Sequence, residues 1–161
     1  MYLPPPSSPG ALPRILLIDD EAESYDLFAR VLIRAGIHNQ VDHAAGGEEG
    51  IRYLDKCQLG HYAWPCVVFL DIRMPVMNGF DVLTWMRARG MLGKVVVVML
   101  SSSTEPTDVG RAFGLGVHHY ISKEAGAEIV ASLVRTAMTF APLKAKSRLS
   151  AVATNQTAKG L

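Results

Sequence analysis

The chain has 161 residues, of which 49% are hydrophobic, which is enough for one domain of ordinary size with a buried core. Its 16 basic and 15 acidic residues give a net charge of +1, a balance that argues against a nucleic-acid binder and favours protein partners. The sequence has neither a signal peptide nor an apolar stretch long enough to span a membrane. We therefore expect a cytoplasmic protein with no membrane contact.

The two ends of the chain differ in composition from the middle. Residues 1–12 contain four of the nine prolines, which predicts a flexible leader, and residues 142–161 are rich in Ala, Lys, Ser and Thr, which predicts a disordered tail. One domain is expected between them, over residues 13–141. Cys57 and Cys66 lack the spacing of a disulfide scaffold or a metal site, so we interpret both as small core residues.

In the first half of the domain, apolar runs alternate with helical patterns. The run ILLI after Arg14 predicts a strand buried on both faces, and it ends in Asp19 and Asp20. Apolar residues at three- and four-residue intervals predict a helix over 22–35, with Gly36 as its stop. A weaker strand over 41–44 and a helix over 48–58 follow.

The second half repeats this alternation three times. The apolar run over 66–70 predicts a strand that ends in Asp71, and a helix follows as far as Arg89. A third buried strand, 95–100, ends in a hydroxyl cluster that begins at Ser101, and a helix over 106–115 comes next. A short strand over 117–121 ends near Lys123. The last predicted helix, 125–140, places these residues on its buried stripe: Ile129, Leu133, Ala137 and Phe140.

Five strands alternating with five helices predict an α/β fold, a doubly wound parallel sheet with helices on both faces. In such sheets the reactive crevice lies at the carboxyl ends of the strands. Polar residues follow four of the predicted strands at that end, so we expect them to converge in one pocket: Asp19, Asp20, Asp71, Ser101 and Lys123.

Three crowded carboxylates repel one another unless a cation lies among them, and hard oxygen ligands suit Mg²⁺, or Mn²⁺ in its place. An aspartate can also act as a nucleophile on phosphorus, with a metal ion and a lysine neutralising the charge of the transferred group. The expected chemistry is therefore phosphoryl transfer. The five histidines are not spaced like ligands, and we interpret them as ordinary side chains.

Four segments together, ILLIDDE, FLDIRMPVMNG, VVVVMLSSS and YISK, closely resemble the receiver domains of two-component response regulators. The resemblance covers roughly residues 14–140 and implies a flavodoxin-like sheet with strand order 2-1-3-4-5. By position, it implies these roles: metal binding by Asp19, Asp20, Asp71 and the backbone carbonyl of Arg73, phosphoacceptor Asp71, switch hydroxyl Ser101, switch aromatic Tyr120 and phosphoryl contact Lys123.

The resemblance further implies a sensor histidine kinase or phosphotransfer protein as donor. It also implies a protein target, or a second copy of the chain, on the face made by helix four, strand five and helix five. The family usually has proline after its lysine, whereas here Glu124 follows Lys123. The segment between Asp20 and Asp71 is longer than in compact members, and is similar to stand-alone receivers that accompany bacterial phytochromes. Without an output domain in the sequence, output is expected through binding.

Two other functions remain open at this point. One is a phosphatase of the haloacid dehalogenase type, but its general acid-base carboxylate would fall two residues after Asp71, where Arg73 stands. The other is a phosphate-independent docking protein on a receiver scaffold. The leading prediction is a signalling phosphoacceptor that is not an enzyme beyond its own phosphorylation and dephosphorylation.

Overall fold

The computed structural model describes residues 10–103 and 105–140. The described strands are β1 (Ile15–Ile18), β2 (Val41–Ala44), β3 (Val67–Asp71), β4 (Val96–Ser101) and β5 (His119–Ser122). All four pairings between neighbouring strands are parallel, and the order in the sheet is β2-β1-β3-β4-β5. The predicted fold and strand order are confirmed.

A helix follows each strand. The helices are α1 (Ala22–Arg34), α2 (Gly47–Gln58), α3 (Gly79–Ala88), α4 (Pro106–Gly114) and α5, which begins at residue 127 and is described as far as 140. The 3₁₀ turn Met91–Gly93, between α3 and β4, was not predicted. The proposed disordered tail, 142–161, and residues 1–9 of the predicted leader lie outside the described residues.

The core has two halves, one on each face of the sheet, because alternate residues of a strand point in opposite directions. On one face, Leu16 and Leu70 pack in a cluster with Leu54 of α2 and Leu83 of α3. On the other face, Phe69 packs in a cluster that includes residues of α1 and α5. Strands β1 and β3 are buried along their whole length, as their unbroken apolar runs predict.

The predicted buried stripe of α5 was wrong at two of its four positions. Ile129 and Phe140 have 52% and 50% of their surface exposed. The buried positions of this helix are Val130, Ala131, Val134 and Ala137. The observed stripe shares Ala137 with the predicted one and otherwise lies beside it, where the small Ala131 and Ala137 allow the helix to pack closely on the sheet.

Both cysteines are buried free thiols, which confirms their interpretation as core residues. Burial raises the pKa of the Cys57 thiol to about 12 and that of the Cys66 thiol to about 11. The thiolate is the reactive form, so both side chains are protected from alkylation in the folded chain. None of the helices in the described part of the chain combines the length and apolarity needed to cross a membrane.

The link between β3 and α3 holds the end of β3 close to the first turn of the helix. Asn78 caps α3 by accepting a hydrogen bond from the backbone N–H of Asp81, whose carboxylate accepts one from the Asn78 N–H. The N–H of Gly79 donates to the carbonyl of Ile72 at 2.9 Å. A β-carbon on Gly79 would collide with the backbone carbonyl oxygen of Asp71. Only glycine therefore permits this approach.

We expect Gly79→Ala to lower the free energy of unfolding by roughly 1–3 kcal/mol, because the backbone at Asp71 must move to make room. Gly110→Ala is the matched control, since Gly110 lies in α4 with open space around its α-carbon. Alanine there should raise stability by about 0.5–1 kcal/mol. Urea denaturation of both variants measures the difference, and equal stabilities would contradict the tight contact.

Candidate functional site

Two buried aspartates lie at the carboxyl ends of neighbouring strands. Asp19 follows β1 and Asp71 ends β3, and their exposed fractions are 1% and 3%. The Lys123 ammonium contacts both: its Nζ lies 2.9 Å from Oδ2 of Asp19 and 3.2 Å from Oδ1 of Asp71. The backbone N–H of Lys123 donates to the carbonyl of Ser101 at 2.9 Å. This bond holds the Lys123 backbone beside the end of β4.

Asp20 completes a cluster of three carboxylates. One oxygen from each of Asp19, Asp20 and Asp71 lies within 4.8 Å of the others, and Asp20 is exposed to solvent. With one lysine among three carboxylates, the cluster carries an excess negative charge. Oxygen ligands beside an open face fit a hard divalent cation that keeps several waters. The structure thus brings together the acidic residues that the sequence predicted.

Burial and neighbouring charges shift the pKa values of both Asp71 and Lys123. Burial raises the pKa of Asp71 above its ordinary value, Lys123 opposes this rise and the charge of Asp19 adds to it. Burial alone would lower the pKa of Lys123, but its hydrogen bond to Asp19 and the charge of Asp71 outweigh burial and raise it. The ammonium therefore stays charged, while the Asp71 carboxylate is left without full compensation.

Contacts that the sequence did not reveal hold Asp19 in place. Its Oδ1 accepts a hydrogen bond from the backbone N–H of Glu21 at 2.9 Å. Nε2 of His43 lies 2.8 Å from the backbone carbonyl oxygen of Asp19, and the His43 ring stacks on Tyr25. No spacing rule links a histidine in β2 to an aspartate after β1. Only the pairing of the two strands brings them together.

Ser101 and Tyr120 both bind the backbone of Ser103. The buried Ser101 Oγ accepts a hydrogen bond from the N–H of Ser103 at 3.0 Å. The Tyr120 hydroxyl donates to the carbonyl of Ser103, also at 3.0 Å. Ser101 follows Leu100, the residue paired with Asp71 across the sheet. Ser103 is therefore the residue that the two side chains share.

Arg73 presents its backbone to the site and its side chain to solvent. Its backbone N–H acts to lower the pKa of the Asp71 carboxyl, and the side chain is exposed. The residue lines a cavity of about 500 Å³ together with Asn78 of the β3–α3 link and Asp108 of α4. The sequence analysis missed Asp108, since an isolated acid in a helix carries no signal of its neighbours.

The turn after Lys123 differs from the proline-containing form usual in the resembling family. The N–H of Glu124 donates to the Ser122 hydroxyl at 3.1 Å, and the N–H of Ala125 donates to the Ser122 carbonyl at 2.9 Å. Proline could not make the first bond because it has no N–H. No cis peptide bond occurs in residues 10–103 and 105–140. A hydrogen bond thus closes this turn at Glu124.

We expect Asp71→Asn to raise the melting temperature of the metal-free protein by a few degrees, because it removes one of three crowded carboxylates. Mg²⁺ should stabilise the wild type by binding the folded form and stabilise the variant much less. Asp55→Asn, at an exposed carboxylate of α2, is the control. Thermal melts with and without Mg²⁺ measure these effects; equal stabilisation of all three proteins would contradict a cation site at the cluster.

The chain is similar in sequence to known regulatory proteins. The family model described as the response regulator receiver domain matches residues 15–135. The transcriptional regulatory protein SphR of Synechococcus elongatus is 35% identical over 133 residues, which are 80% of this chain and 49% of SphR. The probable methanogenesis regulatory protein FilR2 of Methanothrix harundinacea is 30% identical over 68% of this chain and 70% of its own length. The chain thus spans about half the length of SphR.

Solved structures agree on the fold. The chemotaxis protein CheY4 of Vibrio cholerae covers 79% of this chain and 99% of its own with a TM-score of 0.65, at 24% identity. The bacteriophytochrome response regulator AtBRR covers 76% and 91%, with a TM-score of 0.64 and 30% identity. The cyanobacterial phytochrome response regulator RcpA covers 78% and 91%, with a TM-score of 0.65 and 25% identity. By its family match, its strand order and its acidic cluster, the chain belongs to the response regulator receiver domain family.

Proposed function

We propose that this protein is a response regulator of a two-component phosphorelay in which Asp71 accepts a phosphoryl group. One observation carries the proposal: the Asp71 carboxylate lies 3.2 Å from the Lys123 ammonium and within 4.8 Å of ligand oxygens of Asp19 and Asp20. A nucleophilic carboxylate with an adjacent cationic group and oxygen ligands for a divalent ion is what transfer to an aspartate requires. The family membership supports the same assignment.

In the proposed step, an Asp71 carboxylate oxygen attacks the phosphorus of a phosphohistidine on a kinase or phosphotransfer protein. The P–N bond breaks, its electron pair returns to the imidazole, which takes a proton from solvent, and Asp71 becomes an acyl phosphate. Lys123 contacts the transferred group and neutralises part of its charge. Hydrolysis by water later breaks the acyl phosphate and restores the carboxylate. The chain catalyses only its own phosphorylation and dephosphorylation.

Asp19, Asp20, Asp71 and the backbone carbonyl of Arg73 are the proposed ligands of Mg²⁺, or of Mn²⁺ in its place. The bound ion supplies positive charge against the oxygens of the transferred group. The burial of Asp19 and the N–H of Glu21 orient one ligand. The exposure of Asp20 leaves the open face through which the donor reaches Asp71.

Phosphorylation is proposed to act at a distance through Ser101 and Tyr120. The Ser101 hydroxyl would leave the Ser103 N–H to donate to a phosphoryl oxygen, and Tyr120 would then lose its bond to the Ser103 carbonyl and turn. The affected surface is made by α4, β5 and α5, where Phe113 has 51% of its surface exposed. A downstream protein or a second copy of the chain would bind this face.

The similarity to AtBRR and RcpA supports a phytochrome-type histidine kinase as the first donor to test. We also assign residues 13–141 to the receiver unit, a range that contains the matched residues 15–135. The free, buried Cys57 and Cys66 fit a reducing cytoplasm. The near-neutral net charge supports protein partners over nucleic acid or membrane.

The test is incubation of the protein with Mg²⁺ and acetyl phosphate, followed by intact-mass measurement. We expect one added phosphoryl group in the wild type, none in Asp71→Asn, and an unchanged yield in the control Asp55→Asn. Chelation of the metal should lower the yield at least tenfold, because the charge of the transferred group is then uncompensated.

Two outcomes would contradict the proposal. A wild type that stays unmodified, yet still captures a partner, would indicate phosphate-independent docking. Steady turnover of a small phosphate ester would instead indicate a phosphatase of the haloacid dehalogenase type.

A further inference from the structure

A cavity of about 610 Å³ lies between strand β2 and helix α2, and its volume is within the range of ligand sites. Its walls come from all four residues of β2, from α2 and from the segment after α2 that contains His61 and Tyr62. The phosphoryl transfer proposed above assigns no role to these walls.

In the described sheet, β2 is an edge strand with only β1 beside it. The carbonyls of Gln40 and Ala44 accept hydrogen bonds from the backbone of the β1 segment, so these two residues face β1. Because backbone groups alternate in direction along a strand, those of Val41 and His43 point away from β1. An open strand edge of this kind is a template for pairing with another extended chain.

This outward edge forms part of the cavity wall. The Val41 side chain packs with the core half on the α1 side of the sheet, and the His43 ring stacks on Tyr25 of α1. Both side chains thus point away from α2, although both residues line the cavity on the α2 side. They therefore present their backbone N–H and C=O groups to it. The partner that matches the spacing of such groups is an extended peptide backbone.

The inner wall of the cavity holds a charge that is already compensated. The Asp42 carboxylate accepts hydrogen bonds from Arg14 at 2.7 and 2.9 Å and from the Tyr53 hydroxyl at 2.7 Å. The side chains of Arg14 and Asp42 are only 11% and 13% exposed. A charged group inserted here would lose its water without gaining a free counter-charge, so the inner wall favours an apolar side chain.

Two tyrosines form an aromatic wall beside the strand edge. The rings of Tyr53 and Tyr62 lie 5.2 Å apart in an edge-to-face arrangement. The Lys56 ammonium lies 3.5 Å from the Tyr62 hydroxyl oxygen and 5.3 Å from the ring centre, which helps to hold this ring in place. The rim carries both signs of charge, with Arg52 and Asp55 exposed on α2. The cavity thus suits an uncharged peptide with an apolar side chain.

We propose that this cavity binds an extended apolar segment of a partner protein, which adds a strand to the outer edge of β2. The backbone groups of Val41 and His43 supply the hydrogen bonds, and one apolar side chain of the segment packs against Tyr53 and Tyr62. Since side chains alternate along a strand, every second residue of the segment faces the cavity. Binding needs no phosphoryl group, so this proposal goes beyond the proposed function and does not depend on it.

The probe is an uncharged peptide, acetyl-Thr-Leu-Thr-Leu-Thr-amide, added to the full ¹⁵N-labelled chain without metal or phosphoryl donor. Hydrogen exchange of the Val41 and His43 amides is followed by NMR. With the peptide at roughly ten times its dissociation constant, their exchange should slow about tenfold, because most molecules then carry the added strand. The amides of Asp42 and Ala44, which face β1, are internal controls and should change little.

Two matched peptides distinguish strand addition from simple apolar binding. Methylation of the three central backbone nitrogens keeps both leucines but removes the donors that a strand needs, so it should abolish the slowing. Replacement of both leucines by aspartate keeps the backbone donors. It should weaken binding by roughly fivefold or more, because a charged side chain gains no partner at the inner wall.

Tyr62→Ala removes half of the aromatic wall and should raise the dissociation constant of the leucine peptide by roughly fivefold or more. Leu27→Ala is the matched control, at an exposed apolar residue of α1 on the opposite face of the sheet, and should leave the dissociation constant unchanged.

Any of these results would overturn the proposal: no slowing at Val41 and His43, equal slowing by the methylated peptide, equal binding of the aspartate peptide, or undiminished binding by Tyr62→Ala. Slowing that rises with protein concentration in the absence of peptide would also overturn it, and would assign the edge to a second copy of the chain.

Discussion

The two contacts of the Lys123 ammonium, with Asp19 and with Asp71, are the interaction on which the site depends. They join residues at the ends of the neighbouring strands β1 and β3 to a residue that follows β5, which β4 separates from β3 in the sheet. Both carboxylates are buried, and removal of the lysine would leave them uncompensated, a state that is strongly destabilising. The fold places these groups at one edge because all five strands run parallel.

The Lys123 ammonium does not neutralise the whole negative charge of the site, and the remaining charge is what favours a bound cation. Three carboxylates face one ammonium, and the pKa of Asp71 is raised despite Lys123 because burial and Asp19 oppose its charge. A divalent cation would relieve the repulsion, and the proposed phosphoryl group on Asp71 would give Lys123 a new anionic partner. The backbone N–H of Lys123 also binds the Ser101 carbonyl, which ties the lysine to the end of β4.

The apolar runs of the sequence predicted the buried strands, and Asp19 and Asp71 at the ends of two of them predicted the acidic cluster. The strand order was predicted from the family resemblance. The sequence could not predict which stripe of α5 is buried, since Ile129 and Val130 are equally apolar and only packing against the sheet distinguishes them. The sequence also could not predict three features of the structure: the contact of His43 with Asp19, the position of Asp108 and the cavity lined by Tyr53. Each depends on residues that are distant in the chain and carry no shared pattern.

The most direct test of this account is a crystal structure of the protein with Mg²⁺ and beryllium fluoride, a mimic of the phosphoryl group. We expect the beryllium to be bonded to an Asp71 carboxylate oxygen, Lys123 Nζ to lie within hydrogen-bond distance of a fluorine, and one Mg²⁺ to be ligated by Asp19, Asp20 and Asp71. A structure with the beryllium fluoride bound to another residue, or with Lys123 turned away from the bound group, would contradict the account.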